Sequence, residues 1–192
     1  MNNINNMKMN QMNPLNNYNN NSMRLMGIAR LRKEFQLCDQ DDELMQIGCS
    51  FGLFDNDIYT WKVTMLGPKD SPYEGGIFTI KITFPEDYPN LGPDFKFINK
   101  IYHLNVDPRR DFGHISLNTL NAWRVLGKVQ DKPVFGVKQA LFDIFCLFYN
   151  QGILDAYEEE MAEQYLHNRA KFDKIAKEWT EKYAKLKKEY WL

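Results

Sequence analysis

The sequence has few of the residues that build metal centres or disulfide frameworks. Its 192 residues include three cysteines and three histidines, and no two cysteines form a C-x-x-C pair. A zinc site needs about four ligands at suitable spacing, so this composition predicts no metal. Scattered cysteines are typical of a reduced intracellular protein rather than a disulfide scaffold. Cys146 lies within an apolar run, which predicts a small buried hydrophobe.

Long apolar runs and a strong net charge are also absent. No stretch approaches the ~20 apolar residues that a membrane span needs, and the N-terminus lacks the apolar region of a signal peptide. We therefore expect a cytoplasmic or nuclear protein that does not contact membrane. The formal net charge is -1. This near balance argues against a nucleic-acid partner, because domains that bind nucleic acid are usually basic.

Asparagine dominates the start of the chain, where it makes up eleven of the first 22 residues. Such a segment buries too little apolar surface to offset its chain entropy. We therefore predict a disordered tail over residues 1–22 and a folded domain over residues 23–192. Ser22 is a suitable N-cap for a first helix. The tail is either an adaptor or tolerated low-complexity sequence, and the composition favours the second.

Hydrophobic periodicity in the rest of the chain predicts an α+β fold. Apolar residues recur at helical steps over 25–38, alternate over 59–65 and 78–84, and continue in a short run at 95–98. Helical steps return after about residue 136. The pattern predicts an N-terminal helix, a roughly four-stranded antiparallel meander, and then central and C-terminal helices on the same side.

The segment from about 99 to 135 has weak periodicity and many turn residues. It is longer than an ordinary connection, and long ordered loops are often functional. It contains Tyr102–Asn105, Gly113–Asn118 and Trp123. These residues are the first candidates for a functional site.

Several motifs resemble those of the ubiquitin-conjugating enzyme family. The matching segments are Tyr59–Trp61, Gly67–Pro68, Asp70–Gly76, Phe84–Pro89, Ile101–His103 with Asn105, and Ile175–Thr180. They occur in the family's order, and the resemblance runs from about Leu25 to Tyr183. A series of motifs in order is a far more specific signal than a single pattern.

The resemblance implies a reaction and its residues. In that family a cysteine receives the C-terminus of ubiquitin from an activating enzyme as a thioester, and a substrate lysine, often helped by a ligase, attacks it. An asparagine supports the reacting carbonyl and an acidic or polar residue orients the lysine, with no metal or organic cofactor. By this resemblance the reactive position falls on Ser116, the asparagine on Asn105 and the orienting acid on Asp155.

The resemblance also assigns partner-binding and structural positions. Arg30 and Lys33 match positions on the first helix that contact the activating enzyme and ligases. Pro89 and Pro133 match two loops that face ligases, and Trp123 matches a structural position. The expected partners are therefore ubiquitin or a ubiquitin-like protein, an activating enzyme, a ligase, or a catalytic conjugating enzyme.

The chain departs from the family most seriously at Ser116. Cysteine reacts as a thiolate with a pKa of about 8.5, whereas a serine hydroxyl is a far weaker acid and needs an adjacent base. Leu104 replaces the motif's proline, which adds a backbone N–H. The run Val106–Phe112 is longer than usual, and a second insertion lies between Trp123 and Pro133.

Two interpretations of these departures stay open. The first is a non-catalytic relative that binds ubiquitin or a catalytic conjugating partner. The second is a genuine conjugating enzyme whose cysteine has been changed to Ser116. An engineered change explains that position alone, but it does not explain Leu104, the polar Asn90, the insertions or the lack of prolines in Asn150–Ile153. The residue roles therefore favour the first interpretation.

A third hypothesis is a hydrolase that uses a serine–histidine pair. His114 and Ser116 are two residues apart, so their side chains share a face if the segment is extended. No G-x-S-x-G elbow surrounds Ser116, and no acid that would orient the imidazole is evident. The sequence therefore disfavours this hypothesis.

Alternatives also remain for other site residues. His103 is expected to fix the turn that presents Asn105, with a role as general base as the alternative. Asn105 itself would be useful as a turn former without chemistry. Asp155 either steers a lysine or stabilises a helix N-terminus. Arg109 and Arg110 either bind an acidic partner or are solvated.

Overall fold

The computed structural model describes residues 14–109, 113–126, 128–129, 132–133 and 136–185. The elements in chain order are α1 Pro14–Asp39, α2 Asp42–Gln46, β1 Ser50–Leu53, β2 Thr60–Leu66, β3 Ile77–Thr83, β4 Asp94–Phe97, α3 Asn118–Leu126, β5 Lys128–Val129, β6 Lys132–Pro133, α4 Val137–Leu147, α5 Glu159–His167 and α6 Arg169–Tyr183. A short 3-10 helix, Ile153–Asp155, precedes α5. This order confirms the predicted α+β fold.

The main sheet is an antiparallel meander with strand order β1-β2-β3-β4. Along β2, Trp61, Val63 and Met65 are fully buried, whereas Lys62 and Leu66 are exposed. Side chains in a strand point to alternate faces, so one face of the sheet lies on the core and the other faces outward. The alternation predicted from the sequence is therefore confirmed.

Helix α4 is the central helix that the sequence predicted, but the burial predicted for its cysteine, Cys146, was wrong. Ile144 and Leu147 are buried, while Cys146 is exposed. An apolar run does not reveal which residues face the core, because a helix turns every 3.6 residues. Cys38 and Cys49 are buried instead, and burial raises the pKa of both thiols to about 12.

Helix α1 begins earlier than the sequence predicted. It starts at Pro14 rather than after Ser22, so residues 14–22 are helical although their composition predicted disorder. Proline is favoured in the first turn of a helix, where its missing N–H has no partner to lose. Residues 1–13 of the predicted tail lie outside the described residues. The division into 1–22 and 23–192 therefore stays a prediction.

An aromatic cluster between the sheet and α4 supports the functional segment. The ring of Phe148 lies 5.1 Å from those of both Tyr73 and Phe78, measured between centroids. The Tyr73 ring lies 5.7 Å from that of His103. Burial of each large apolar side chain stabilises the fold by about 1.5–3 kcal/mol. His103 therefore packs against a buried aromatic cluster.

Candidate functional site

His103 is a buried structural residue beneath the site. Its side chain is 3% exposed, its Nε2 donates to the Leu147 carbonyl at 3.0 Å, and its Nδ1 accepts from the backbone N–H of Asn105 at 3.0 Å. Burial lowers the pKa of His103 to about 4, so the imidazole is neutral at pH 7. Because both nitrogens are bonded, the geometry favours the turn-fixing role over that of a general base.

The side-chain amide of Asn105 joins two segments of backbone. Its Nδ2 donates to the Gly152 carbonyl at 2.7 Å, and its Oδ1 accepts from the Gly152 N–H at 2.8 Å. Asn105 is 0% exposed. The paired bonds fix the segment after α4 against the segment that carries Asn105, since buried polar groups are costly when they lack partners.

Ser116 lies beside Asn105 at the surface. Its backbone N–H donates to the Asn105 carbonyl at 2.8 Å, and the preceding residues are joined by an antiparallel bridge between Val106 and Ile115. The Ser116 side chain is partly exposed. Among the described residues, no hydrogen bond to its hydroxyl is found. No described residue therefore serves as a hydrogen-bonded base for this hydroxyl.

Asp155 reaches the same place from the short 3-10 helix. A side-chain carbon on Gly152 would lie 3.3 Å from Asn105 Nδ2 and 3.4 Å from Asp155 Oδ2. Because Gly152 has no side chain, the amide and the carboxylate approach each other across it. The structure thus brings Asn105 and Asp155 together, with Ser116 bonded to the backbone of the first.

His114 contacts polar groups other than Ser116. Arg124 Nη2 lies 2.6 Å from His114 Nε2 and donates to Asp94 Oδ1 at 2.6 Å. His114 Nδ1 lies 2.7 Å from the Tyr157 hydroxyl. His114 Nε2 also lies 3.2 Å from Asp94 Oδ1, so Arg124 and Asp94 both contact this nitrogen. With both nitrogens engaged, the geometry does not support a serine–histidine nucleophile.

Leu104 and Gln151 form a buried pair that sequence reasoning missed. The Leu104 N–H donates to Gln151 Oε1 at 2.8 Å, and Gln151 Nε2 donates to the Tyr73 hydroxyl at 2.8 Å. That hydroxyl donates in turn to the Tyr102 carbonyl at 2.7 Å. Both the leucine in place of proline and the lack of prolines around residue 151 were noted from the sequence. The two departures were the available signal, but the sequence did not show that Leu104 and Gln151 contact each other.

The longer loop before Ser116 is connected to the start of α5. Arg109 Nε lies 2.6 Å from Glu158 Oε1, and the two side chains are 73% and 25% exposed. Tyr157 donates its backbone N–H to the Leu104 carbonyl. Part of the loop therefore has a partner within this chain, and Arg110 lies outside the described residues.

Trp123 belongs to the core and not to the accessible site. It is 0% exposed, and its ring lies 6.2 Å from that of Phe95 and 6.4 Å from that of Tyr88, between centroids. Its position on α3 fits a packing role, because large aromatic rings contribute most of their stabilisation through buried area.

The structure relates two of the predicted partner-binding residues, Arg30 and Pro89, through Tyr88. The Arg30 guanidinium lies 5.7 Å from the centre of the Tyr88 ring, and the Tyr88–Pro89 peptide bond is cis. Arg30 thus contacts the residue that precedes Pro89, and Lys33 is exposed on the same helix as Arg30. Pro133 lies in β6, but its side chain is outside the described part of the chain.

Neither a metal centre nor a membrane-spanning helix is found among the described residues. No group of three or more His, Cys, Asp or Glu side chains there has the arrangement to hold a metal ion. None of the helices described is long and apolar enough to cross a membrane.

Comparisons with known proteins identify the family. The sequence model of the ubiquitin-conjugating enzyme family matches residues 30–180. A candidate ubiquitin conjugating enzyme from Plasmodium yoelii has a similar structure, with a TM-score of 0.71 and 31% identity over 84% of this chain and 97% of its own. The E2 domain of a Toxoplasma gondii ubiquitin conjugating enzyme gives 0.66 and 33% over 82% and 98%. The chain belongs to the ubiquitin-conjugating enzyme family.

Proposed function

We propose that this chain is a non-catalytic member of the ubiquitin-conjugating enzyme family. It acts as an interaction module that binds ubiquitin, a ubiquitin-like protein, or a catalytic conjugating partner. The observation that carries the proposal is Ser116 at the nucleophile position. Its hydroxyl makes no hydrogen bond to a described residue, and the nearby His114 is bonded to Tyr157 and Arg124 instead.

The chemistry of serine explains why this position decides the function. A serine hydroxyl attacks only when a base removes its proton, and both nitrogens of His114 are engaged elsewhere. A thioester also reacts more readily with an amine than an ordinary ester does. Even an esterified Ser116 would therefore be a poor donor to lysine.

The contact between Leu104 and Gln151 supports a natural origin for these departures. A proline at position 104 has no N–H to give to the Gln151 amide. Leu104 and Gln151 therefore form a matched pair of donor and acceptor in the wall of the site, which consists of the buried residues His103, Leu104, Asn105 and Gln151. An engineered change of one cysteine would leave such a matched pair unexplained.

The hydrogen bonds of Asn105 explain why this motif residue would be kept in a protein that has no catalytic activity. Both functional groups of its amide bond the backbone of Gly152, and the side chain is 0% exposed. Removal of the amide would leave buried donors and acceptors unpaired, which is costly whether or not the protein is an enzyme.

One observation favours a second candidate function. Asn105 and Asp155 both lie near Gly152, and the Asn105 carbonyl accepts the Ser116 N–H, as a lysine-accepting site would need. The second candidate is a genuine conjugating enzyme, which transfers ubiquitin or a ubiquitin-like protein to lysine and whose cysteine has been changed to Ser116. A cysteine codon at position 116 in the gene would establish it and would overturn the first proposal.

A charging assay with two forms of the full chain tests the proposal. The native chain and Ser116→Cys are each mixed with activating enzyme, ATP and ubiquitin, and then run on a non-reducing gel. We expect no adduct on the native chain. A hydroxide-labile adduct on the native chain together with a reducible adduct on Ser116→Cys would favour the enzyme.

A binding measurement tests the other half of the proposal. Isotope-labelled native chain is titrated with free ubiquitin, and backbone amide shifts are followed by NMR. We expect shifts confined to one surface and unchanged in Ser116→Ala, because binding does not use the hydroxyl. The absence of shifts would direct the search to a catalytic conjugating enzyme as the partner.

A further inference from the structure

The imidazole of His114 lies between a carboxylate and a phenol. Its Nε2 lies 3.2 Å from Asp94 Oδ1, and its Nδ1 lies 2.7 Å from the Tyr157 hydroxyl. Asp94 begins β4, whereas Tyr157 lies just before α5, 43 residues after His114. The folded chain therefore places an acid beside this imidazole, which the sequence alone did not reveal.

The order of these three groups matches that of an activated nucleophile. A nucleophilic hydroxyl needs a base within about 2.6–3.2 Å, and a third group orients that base. The hydroxyl of Tyr157, the imidazole of His114 and the carboxylate of Asp94 follow one another in this order. The carboxylate is itself held by Arg124 at 2.6 Å and by Lys96 at 3.7 Å. Asp94 is therefore fixed in a position from which it orients the imidazole.

The position of the proton on His114 decides whether the hydroxyl is activated. Arg124 Nη2 also lies 2.6 Å from Nε2, so Arg124 and Asp94 favour opposite tautomers of the imidazole. When Nε2 carries the proton and donates it to Asp94, Nδ1 accepts the bond from the Tyr157 hydroxyl. Transfer of the phenol proton to Nδ1 then forms an imidazolium, whose charge the carboxylate stabilises. The reactive tautomer is therefore the one that Asp94 favours.

Tyr157 is a better nucleophile for this base than a serine would be. Phenols have an ordinary pKa of about 10 and lose a proton far more readily than the alcohol of serine. The side chain of Tyr157 is 38% exposed, so a reagent in solution reaches it. Its hydroxyl faces the His114 side chain, which is only 15% exposed. This partly enclosed position favours a small reagent over a folded protein.

We propose that Tyr157 is a site of acylation by small reactive acyl esters and thioesters. The phenol oxygen bonds to the acyl carbon, and the bond from that carbon to the leaving oxygen or sulfur breaks. The leaving group takes the proton that His114 removed, and the product is a tyrosine ester. The reaction is a stoichiometric modification that does not involve Ser116, so it goes beyond the function proposed above and does not depend on it.

Acetylation of the full chain by p-nitrophenyl acetate tests the proposal. Peptide mass spectrometry measures the acetyl group on each tyrosine over time, and hydroxylamine removes it from tyrosine but not from lysine. Tyr149 is the internal reference, because it is 45% exposed and its hydroxyl donates to the Lys69 carbonyl, which is not a base. We expect Tyr157 to react at least about tenfold faster than Tyr149, since a positioned base contributes about 10²–10⁴-fold.

Two changes test the residues behind Tyr157, with the ratio of its rate to that of Tyr149 as the readout. His114→Gln keeps a polar side chain but removes the base, so the ratio should fall to about one. Asp94→Asn should lower the ratio at least about threefold, because the amide does not stabilise an imidazolium. Asp94→Glu restores the carboxylate and should retain most of the native ratio.

The thioester class is tested with phenyl thioacetate, which should show the same preference for Tyr157 over Tyr149. Equal rates at the two tyrosines with both reagents would overturn the proposal. An unchanged ratio in His114→Gln would also overturn it, because the reactivity of Tyr157 would then owe nothing to the imidazole.

Discussion

The buried wall of the site and its exposed rim differ in how their polar groups are satisfied. In the wall, His103, Asn105 and Gln151 are at most 8% exposed, and each bonds a backbone group on another segment. At the rim, the ion pair joins Arg109, which is 73% exposed, to Glu158, which is 25% exposed. Buried bonds are expensive to break, whereas exposed ion pairs contribute little to stability.

This difference teaches how the frame of the site is kept without its chemistry, as the proposed function requires. The wall fixes the backbone on which Ser116 sits, and it does so through groups that do not touch the Ser116 hydroxyl. A serine at the nucleophile position, as we propose for Ser116, therefore leaves the wall intact. Loss of a wall residue, by contrast, damages folding with or without catalysis.

The largest effect is expected when the wall is broken at Asn105. Asn105→Ala leaves both the N–H and the carbonyl of Gly152 without their partners. We expect the free energy of unfolding to fall by about 4 kcal/mol, from two unpaired buried groups and a small cavity. Denaturant unfolding followed by circular dichroism measures it. Asn150→Ala, at an exposed neighbour, is the control and should change the free energy by less than about 0.5 kcal/mol.

A second effect concerns the pH dependence of the wall. Burial lowers the pKa of His103 from 6.5 to about 4, so the unfolded chain takes up a proton before the folded chain does. The stability that comes from burying a neutral His103 is therefore fully present above about pH 6.5. It is lost as the pH falls toward 4, by about 3 kcal/mol in total. An NMR titration of the His103 imidazole should find it neutral at pH 5.5. Titration near 6.5 would contradict its burial.

A smaller effect is expected at the matched pair in the wall. Gln151→Leu removes the acceptor of the Leu104 N–H and should lower the free energy of unfolding by about 2 kcal/mol. In a Leu104→Pro background no N–H remains, so the same change should cost about 1 kcal/mol less. A double-mutant cycle in denaturant measures this coupling. Additive effects would show that the two departures are independent.

The smallest effect is expected at the rim. Arg109→Ala removes an ion pair whose arginine is 73% exposed. We expect the free energy of unfolding to change by less than about 0.5 kcal/mol. Thermal unfolding at low and high salt measures this change. If Arg109→Ala lowered the free energy of unfolding as much as Gln151→Leu does, the wall and the rim would not differ in their contribution to stability.

The fold was predictable from the sequence because its signals are local. The alternation of Trp61, Val63 and Met65 in β2 and the helical steps in α4 follow from which side chains face the core. The start of α1 at Pro14 and the exposure of Cys146 were not predicted. Composition and apolar runs leave open which residues a particular helix includes or buries.

The site was predictable in part, for a different reason. Motif order identified Ser116, Asn105 and Asp155. In the structure Asn105 and Asp155 both lie near Gly152, and the Ser116 N–H donates to the Asn105 carbonyl, although the roles of the three residues stay predictions. The contact between Leu104 and Gln151 spans 47 residues, so no local pattern reveals it. Long-range hydrogen bonds depend on the folded topology, which a single sequence does not specify residue by residue.

The central claim is that the wall of the site is intact while the residue at the nucleophile position does not react. Intact-mass spectrometry of the full chain, after incubation with activating enzyme, ATP and ubiquitin, tests it most directly. We expect the native chain to keep its unmodified mass. A gain of one ubiquitin less one water, absent from Ser116→Ala, would contradict the claim and identify Ser116 as a working nucleophile.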